Sequence, residues 1–89
     1  MIISIAIATN GTRLTIDADP GILGSEILEQ LIEANVLPSP KAGSHYSFQW
    51  MGSERERETP FDLERSLLDN GAEDYDVLVL LRTDSQVTI

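Results

Sequence analysis

The chain has 89 residues and a formal net charge of −9, from fifteen acidic and six basic side chains. This length allows one domain with a modest core, because typical domains need roughly 100 residues. The sequence contains no cysteine, which excludes disulfides and thiolate metal sites. No apolar run approaches the roughly 20 residues of a membrane span and no basic leader precedes one, so we expect a cytoplasmic protein without membrane insertion.

The strong acidity argues against a nucleic-acid partner, because phosphate backbones repel negative charge. Two interpretations of the charge stay open: it keeps the protein soluble, or it steers the protein toward a basic partner. The apolar fraction of 42% is ordinary for a folded domain, and we find neither an internal repeat nor a linker that would divide the chain.

Residues 2–8 carry β-branched side chains that alternate with small ones, a pattern typical of a half-buried strand. The dipeptide Asn10-Gly11 follows, and Asn-Gly is a strong hairpin signal because both positions tolerate positive φ. Alternation resumes over residues 13–16. The first two segments are therefore predicted to form a β-hairpin.

Helical spacing replaces alternation from about Gly24, where apolar side chains recur four residues apart. This apolar stripe includes Leu23, Ile27, Leu28, Leu31 and Ile32. Ser25 or Gly24 is expected to cap the N-terminus of the helix. Pro38 and Pro40 end it, because proline cannot continue a helix and biases the preceding residue away from helical φ and ψ.

Aromatic side chains at alternate positions predict a third strand over residues 45–51, ended by Gly52. The alternating charges of residues 53–58 predict a solvated loop. Residues 59–62 are expected to add a short edge strand, where proline is tolerated.

Residues 63–71 predict a single short helical turn ended by glycine, and residues 75–81 predict a strong last strand. This order of elements predicts an α+β fold, in which a mixed sheet of four to five strands carries one main helix across one face. The expected core consists of Ile3, Ile5, Ile7, Leu14, Ile16, Ile27, Leu31, Phe48, Trp50, Leu67, Val77 and Val79.

The sequence offers few groups for catalysis or metal binding. His45 is the single histidine and cannot form an ordinary structural zinc site without cysteine, and its place at the start of a strand favours an exposed edge position. Three acidic pairs have spacings similar to metal sites, but none has the longer ligand set of a calcium loop. These pairs are Asp17 with Asp19, Glu54 with Glu56, and Asp74 with Asp76. We therefore expect no enzyme activity, no metal and no cofactor.

Three features resemble the ubiquitin-like β-grasp family over residues 1–82. They are the Asn10-Gly11 hairpin before a single proline-ended helix, the strand that closes with Trp50-Met51-Gly52, and the leucine-bearing turn at residues 63–72 followed by the apolar strand 76–80. The stretch 70–80 also resembles bacterial ubiquitin-like proteins found with type VII secretion systems and conjugation-like operons. The resemblance implies a ubiquitin-like β-grasp domain at residues 1–82 and a flexible C-terminal tail at residues 83–89.

Ubiquitin and its sulfur-carrier relatives act through a C-terminal Gly-Gly, whereas this sequence has no glycine after Gly71. Glycine is needed there so that the tail can thread a narrow active-site channel. Two functions therefore stay open: a non-catalytic interaction module or adaptor, and a modifier that is processed and conjugated through a terminus other than Gly-Gly. Lys41 is the single lysine, so lysine-linked chains of this protein would have one side-chain branch point.

The predicted binding surface is the face of the sheet opposite the helix. Gln49 takes the family's third-strand aliphatic position, and Leu78 and Leu80 have the parity opposite to the expected core of the last strand. We expect these three side chains near the centre of the surface, with Arg13 and Arg82 at its rim. Scattered exposed leucines are also common without any function. The resemblance implies a protein partner from a secretion machinery or a conjugation-like enzyme system. The two leucines, expected to be exposed beside Ala6 and Ala8, would also allow a weak homodimer.

Overall fold

The computed structural model describes residues 1–8, 10–51 and 60–84. The elements in chain order are β1 (Ile2–Ile7), β2 (Arg13–Asp17), α1 (Gly24–Glu33), β3 (Ser44–Trp50) and β4 (Asp76–Asp84). The strands form one four-stranded sheet in the order β2-β1-β4-β3. Its two central strands, β1 and β4, run parallel, and each pairs antiparallel with an outer strand. Helix α1 lies across one face and buries its apolar stripe in the core.

The predicted hairpin between β1 and β2 is confirmed by the antiparallel register, in which Ile3 is aligned with Ile16. The N–H of Ile7 donates to the carbonyl oxygen of Thr12 over 2.7 Å and closes the turn. Gly11 has a φ of +73°, which glycine adopts without steric cost. The Asn-Gly signal therefore marks the position of the hairpin correctly, because its information is local.

The start of α1 differs from the sequence prediction. Neither Ser25 nor Gly24 caps it: the N-cap residue is Leu23, and no side chain accepts a hydrogen bond there. Instead, the N–H of Gly24 donates to the carbonyl oxygen of Arg65 over 3.2 Å, and the N–H of Ser25 donates to that of Leu63 over 2.9 Å. The first N–H groups of a helix need partners, and here a distant loop supplies them.

Residues 60–62 do not form the expected edge strand; residue 59 lies outside the described residues. Phe61 instead enters the core, where its ring meets those of Phe48 and Trp50 edge-on at centroid distances of 5.4 and 5.3 Å. Gly24 allows this approach, because a Cβ at that position would lie 2.6 Å from Phe61 Cε1. Burial of the aromatic ring thus outweighs any strand preference of this segment.

Residues 63–71 form a series of turns that includes one helical hydrogen bond, from the N–H of Asn70 to the carbonyl oxygen of Ser66 over 3.0 Å. Gly71 follows with a φ of +84°, in agreement with the predicted glycine end. The Asn70 side chain organises the segment, since its Oδ1 accepts from the N–H of Asp62 over 2.7 Å.

The predicted core is confirmed except in the last strand. Seven expected residues are buried, namely Ile3, Ile5, Ile7, Ile27, Leu31, Phe48 and Leu67, while Leu14, Ile16 and Trp50 are partly buried against them. In β4 the prediction is wrong. Leu78 and Leu80 are 0% exposed, whereas Val77 and Val79 are half-buried on the other face. Both parities of this central strand are apolar, so alternation carries no information about its orientation.

Strand β4 continues to Asp84, two residues past the predicted domain end at residue 82. The rest of the predicted tail, residues 85–89, lies outside the described residues, as does the charge run at 53–58. Among the described residues, no helix is both long and apolar enough to cross a membrane.

Candidate functional site

The face of the sheet opposite α1 carries small, polar and β-branched side chains, and we call it the open face. Alternation along each strand defines its members, because the residues between them are those packed toward the helix. The members are Ile2, Ser4, Ala6, Arg13, Thr15, Asp17, His45, Ser47, Gln49, Val77, Val79, Leu81 and Thr83. All thirteen are half-buried or exposed.

One row of the open face crosses the whole sheet. Arg13 is aligned with Ala6, Ala6 with Val79, and Val79 with Gln49. Adjacent strands lie about 4.8 Å apart, so the row spans roughly 14 Å. The structure therefore places two predicted site residues, Arg13 and Gln49, at opposite ends of one line with an apolar centre.

A second row lies beside the first. Ser4 is aligned with Thr15 on one side and with Val77 on the other, and its hydroxyl lies 3.5 Å from that of Thr15. Met51, 41% exposed, donates its N–H to the carbonyl oxygen of Val77 over 3.2 Å. The two rows give the open face an apolar strip along β4, with polar groups toward β2.

Three of the predicted site residues lie elsewhere. Leu78 and Leu80 are fully buried under α1 and cannot contact a partner. Arg82 shares their parity and is aligned with Tyr46, so it lies on the helix side of the sheet rather than at the rim of the open face. Sequence reasoning missed Val79 as a surface residue. The parallel alignment of Ile5 with Leu78 explains the error, because it fixes the face that each β4 residue takes.

The acidic pair Asp74 and Asp76, at the start of β4, accepts hydrogen bonds from backbone N–H groups. Asp74 Oδ1 accepts from the N–H of Ile2 over 2.9 Å, and Asp76 Oδ2 accepts from the N–H of Glu73 over 2.8 Å. Within the part of the chain that the structure describes, no group of three or more His, Cys, Asp or Glu side chains is arranged to hold a metal ion. His45 is exposed on β3, as expected.

The parallel central strands, the flanking antiparallel strands and the single helix across one face define a ubiquitin-like β-grasp fold of the α+β class. The chain is similar to a designed protein based on ubiquitin, with a TM-score of 0.68 and 19% identity over 100% of this chain and 95% of the other. It is also similar to the ubiquitin-like domain of an Arabidopsis thaliana protein, with a TM-score of 0.64 and 12% identity over 98% and 79% of the two chains.

A third similar structure is that of ATBAG1 in complex with HSP70, with a TM-score of 0.63 and 13% identity over 98% of this chain but only 41% of that one. At sequence identities this low, the structural similarity establishes the fold and leaves the activity open. No protein-family model and no curated protein matches the sequence.

Proposed function

We propose that the chain is a non-catalytic protein-interaction module, an adaptor that binds a protein partner through the open face. The observation that carries this proposal is the row from Arg13 through Ala6 and Val79 to Gln49. Protein interfaces combine an apolar centre with a polar rim, and this row has that arrangement. Arginine is also among the residues enriched at such contacts.

The rigidity of the open face supports the same function. Its members lie on paired strands whose opposite side is fixed by Ile3, Ile5 and Leu78, each 0% exposed. A surface held in this way loses little conformational entropy on binding, so a small contact area can give measurable affinity. The arrangement favours a transient partner over an obligate one, because the apolar strip is narrow.

The partner we propose is a protein. The structure of ATBAG1 in complex with HSP70, which matches this chain over 41% of its own chain, supports the choice of a protein ligand. The net charge of −9 disfavours nucleic acid and anionic membrane surfaces as alternatives. We propose that the protein acts in a bacterial cytoplasm and that its partner is a component of a secretion machinery or of a conjugation-like enzyme system.

Two glutamine substitutions provide a matched test. Gln49 on the open face and Gln30 on α1 are both exposed. A photo-crosslinking residue is placed at each position in cells, and the captured protein is identified by mass spectrometry and purified. Gln49→Arg is then expected to weaken its binding at least about tenfold, a hot-spot effect, while Gln30→Arg leaves the Kd unchanged. Crosslinking at position 30 alone, or equal Kd values for both variants and the wild type, would contradict the proposal.

A further inference from the structure

A cleft lies on the helix side of the sheet, away from the open face. It forms between the loop that follows α1 and the C-terminal part of β4, and its volume is about 410 Å³. Its polar lining comes from Ser39, Lys41, Ser44, Tyr46 and Arg82. Small-molecule sites typically have volumes of roughly 300–1,000 Å³, so the cleft is large enough for a compact ligand.

The cleft concentrates positive charge in a strongly acidic protein. The described residues include four Lys and Arg side chains, at positions 13, 41, 65 and 82, and two of these line the cleft. No Asp or Glu is among the lining residues whose side chains the structure describes; Asp84, which ends β4, is aligned with Ser44. Since the chain carries a net charge of −9, an anion is repelled by most of the surface and is attracted here.

The loop that carries Lys41 is held in one conformation. The Tyr46 hydroxyl donates to the carbonyl oxygen of Pro38 over 2.7 Å, and the Tyr46 side chain is 6% exposed. The N–H of Ser44 donates to the carbonyl oxygen of Lys41 over 2.8 Å and closes a turn, in which Gly43 has a φ of +84°. The cleft is therefore preformed, and a ligand does not have to order it.

Arg82 reaches the same cleft from a strand. It is aligned with Tyr46 in the antiparallel pair of β3 and β4, which fixes its backbone. The two cations thus belong to two different elements: Arg82 lies on β4 opposite Tyr46, and Lys41 lies in the loop whose Pro38 carbonyl oxygen accepts from Tyr46. Cations on separate elements can approach a small anion from different sides.

We propose that this cleft binds a small molecule through a phosphate group, with Arg82 and Lys41 as the charge partners. A phosphate monoester carries a charge of about −1.5 to −2 near neutral pH and is matched by two cations. The planar guanidinium pairs with two phosphate oxygens, and the ammonium acts as a compact point charge. The hydroxyl groups of Ser39 and Ser44 supply further donors. A polynucleotide is disfavoured because its other phosphates would meet the acidic remainder of the surface.

The test is a titration of the ¹⁵N-labelled protein with inorganic phosphate and, separately, with ribose 5-phosphate, at ionic strength held constant with sodium chloride. Saturable amide shifts are expected for residues 39–46 and for Arg82. Arg82→Gln and Lys41→Gln are each expected to weaken binding about tenfold, the loss of one charge-assisted contact. Arg13→Gln and Arg65→Gln remove the same charge elsewhere and are expected to change the Kd less than about twofold.

Tighter binding of the sugar phosphate identifies an organic phosphate as the ligand, and equal binding identifies free phosphate; either outcome supports the proposal. The proposal is overturned if no saturable binding occurs below about 10 mM, if the shifts lie outside the cleft, or if the two control variants weaken binding as much as the cleft variants. Lys41 is an exposed loop residue, so its variant keeps the test decisive even if the Arg82 variant unfolds.

Discussion

Leu78 lies beside Ile5 in the parallel pair of β1 and β4, and both side chains are 0% exposed. This alignment decides the orientation of the last strand. Because side chains alternate along a strand, burial of Leu78 also buries Leu80 and turns Val77 and Val79 to the open face. The two candidate sites follow from it: Val79 contributes to the open face, and Arg82 contributes to the cleft.

The orientation of β4 predicts unequal costs for truncation of two neighbouring side chains. Leu78→Ala removes a fully buried side chain and is expected to lower the free energy of unfolding by about 2–5 kcal/mol. Val79→Ala removes a half-buried one and is expected to cost under about 1.5 kcal/mol. Urea denaturation followed by tryptophan fluorescence of Trp50 measures both. A greater loss for Val79→Ala than for Leu78→Ala would contradict the assigned orientation.

Local patterns predict the hairpin, the helix and the aromatic strand, because alternation, helical spacing and Asn-Gly each act within a few residues. These patterns give a wrong prediction where contacts with a distant segment determine the local structure. At the start of α1, the N–H groups of Gly24 and Ser25 donate to the carbonyl oxygens of residues 65 and 63, which lie far along the chain. No residue near the start of the helix predicts these hydrogen bonds. Phe61 enters the core because a glycine on the helix leaves room for its ring, which also depends on tertiary contact.

The candidate site is predictable to a similar extent. Alternation within β2 and β3 places Arg13 and Gln49 on the open face, and the structure agrees; their role in binding stays a prediction. Residues 77–81 are apolar throughout, so the sequence could not say which of their side chains face outward. Arg82 has the same parity as Leu80, so the prediction that it lies at the rim of the open face is wrong for the same reason.

The contact between Gly24 and Phe61 predicts a substitution that reverses an ordinary preference. Alanine favours a helix over glycine by about 1 kcal/mol, yet a Cβ at position 24 would lie 2.6 Å from Phe61 Cε1 and 3.0 Å from Leu63 Cα. Gly24→Ala is therefore expected to destabilise the fold by about 1–3 kcal/mol in urea denaturation. Gly21→Ala is the control, because its new Cβ would meet only Asp19 Oδ1, at 3.4 Å. Equal stabilities of the two variants would contradict the close approach.

The side chain of Asn70 holds the turn segment before β4. Its amide group donates to the carbonyl oxygens of Asp62, Arg65 and Ser66 over 2.9, 3.2 and 2.8 Å, and its Oδ1 accepts from the N–H of Asp62. Asn70→Ala removes these contacts and is expected to cost about 1–3 kcal/mol, chiefly because the N–H of Asp62 loses its acceptor, whereas each of the three carbonyl oxygens keeps a backbone N–H donor. Asn70→Asp keeps the size but faces its carboxylate toward three carbonyl oxygens, so it is expected to cost at least as much.

Denaturation of both Asn70 variants, together with amide exchange at Asp62, checks this prediction. Faster exchange at Asp62 is expected in Asn70→Ala, because the acceptor of its N–H is lost. An Asn70→Asp variant as stable as the wild type would show that the amide donors contribute little.

The hydrogen bond between Tyr46 and Pro38 links stability to the proposed phosphate cleft. Tyr46→Phe removes the hydroxyl that donates to the Pro38 carbonyl oxygen over 2.7 Å and leaves the ring in the core. The expected loss in the free energy of unfolding is about 1 kcal/mol, with weaker phosphate binding because the loop carrying Lys41 becomes mobile. Unchanged phosphate binding in a destabilised Tyr46→Phe variant would show that the loop needs no such support.

Tyr75 precedes β4 in a backbone conformation that its side chain disfavours. Its φ is +70° and its side chain is 79% exposed, so no burial within the described residues offsets the strain. The N–H of Tyr75 donates to the carbonyl oxygen of Ile2 over 2.7 Å and holds this conformation in place. Asparagine tolerates positive φ, and Tyr75→Asn is therefore expected to raise the free energy of unfolding by about 0.4–1 kcal/mol. Tyr75→Val, which is β-branched, is expected to lower it in the same urea experiment. A Val variant at least as stable as the Asn variant would show that the backbone relaxes at this position, and the strain would then have no energetic consequence.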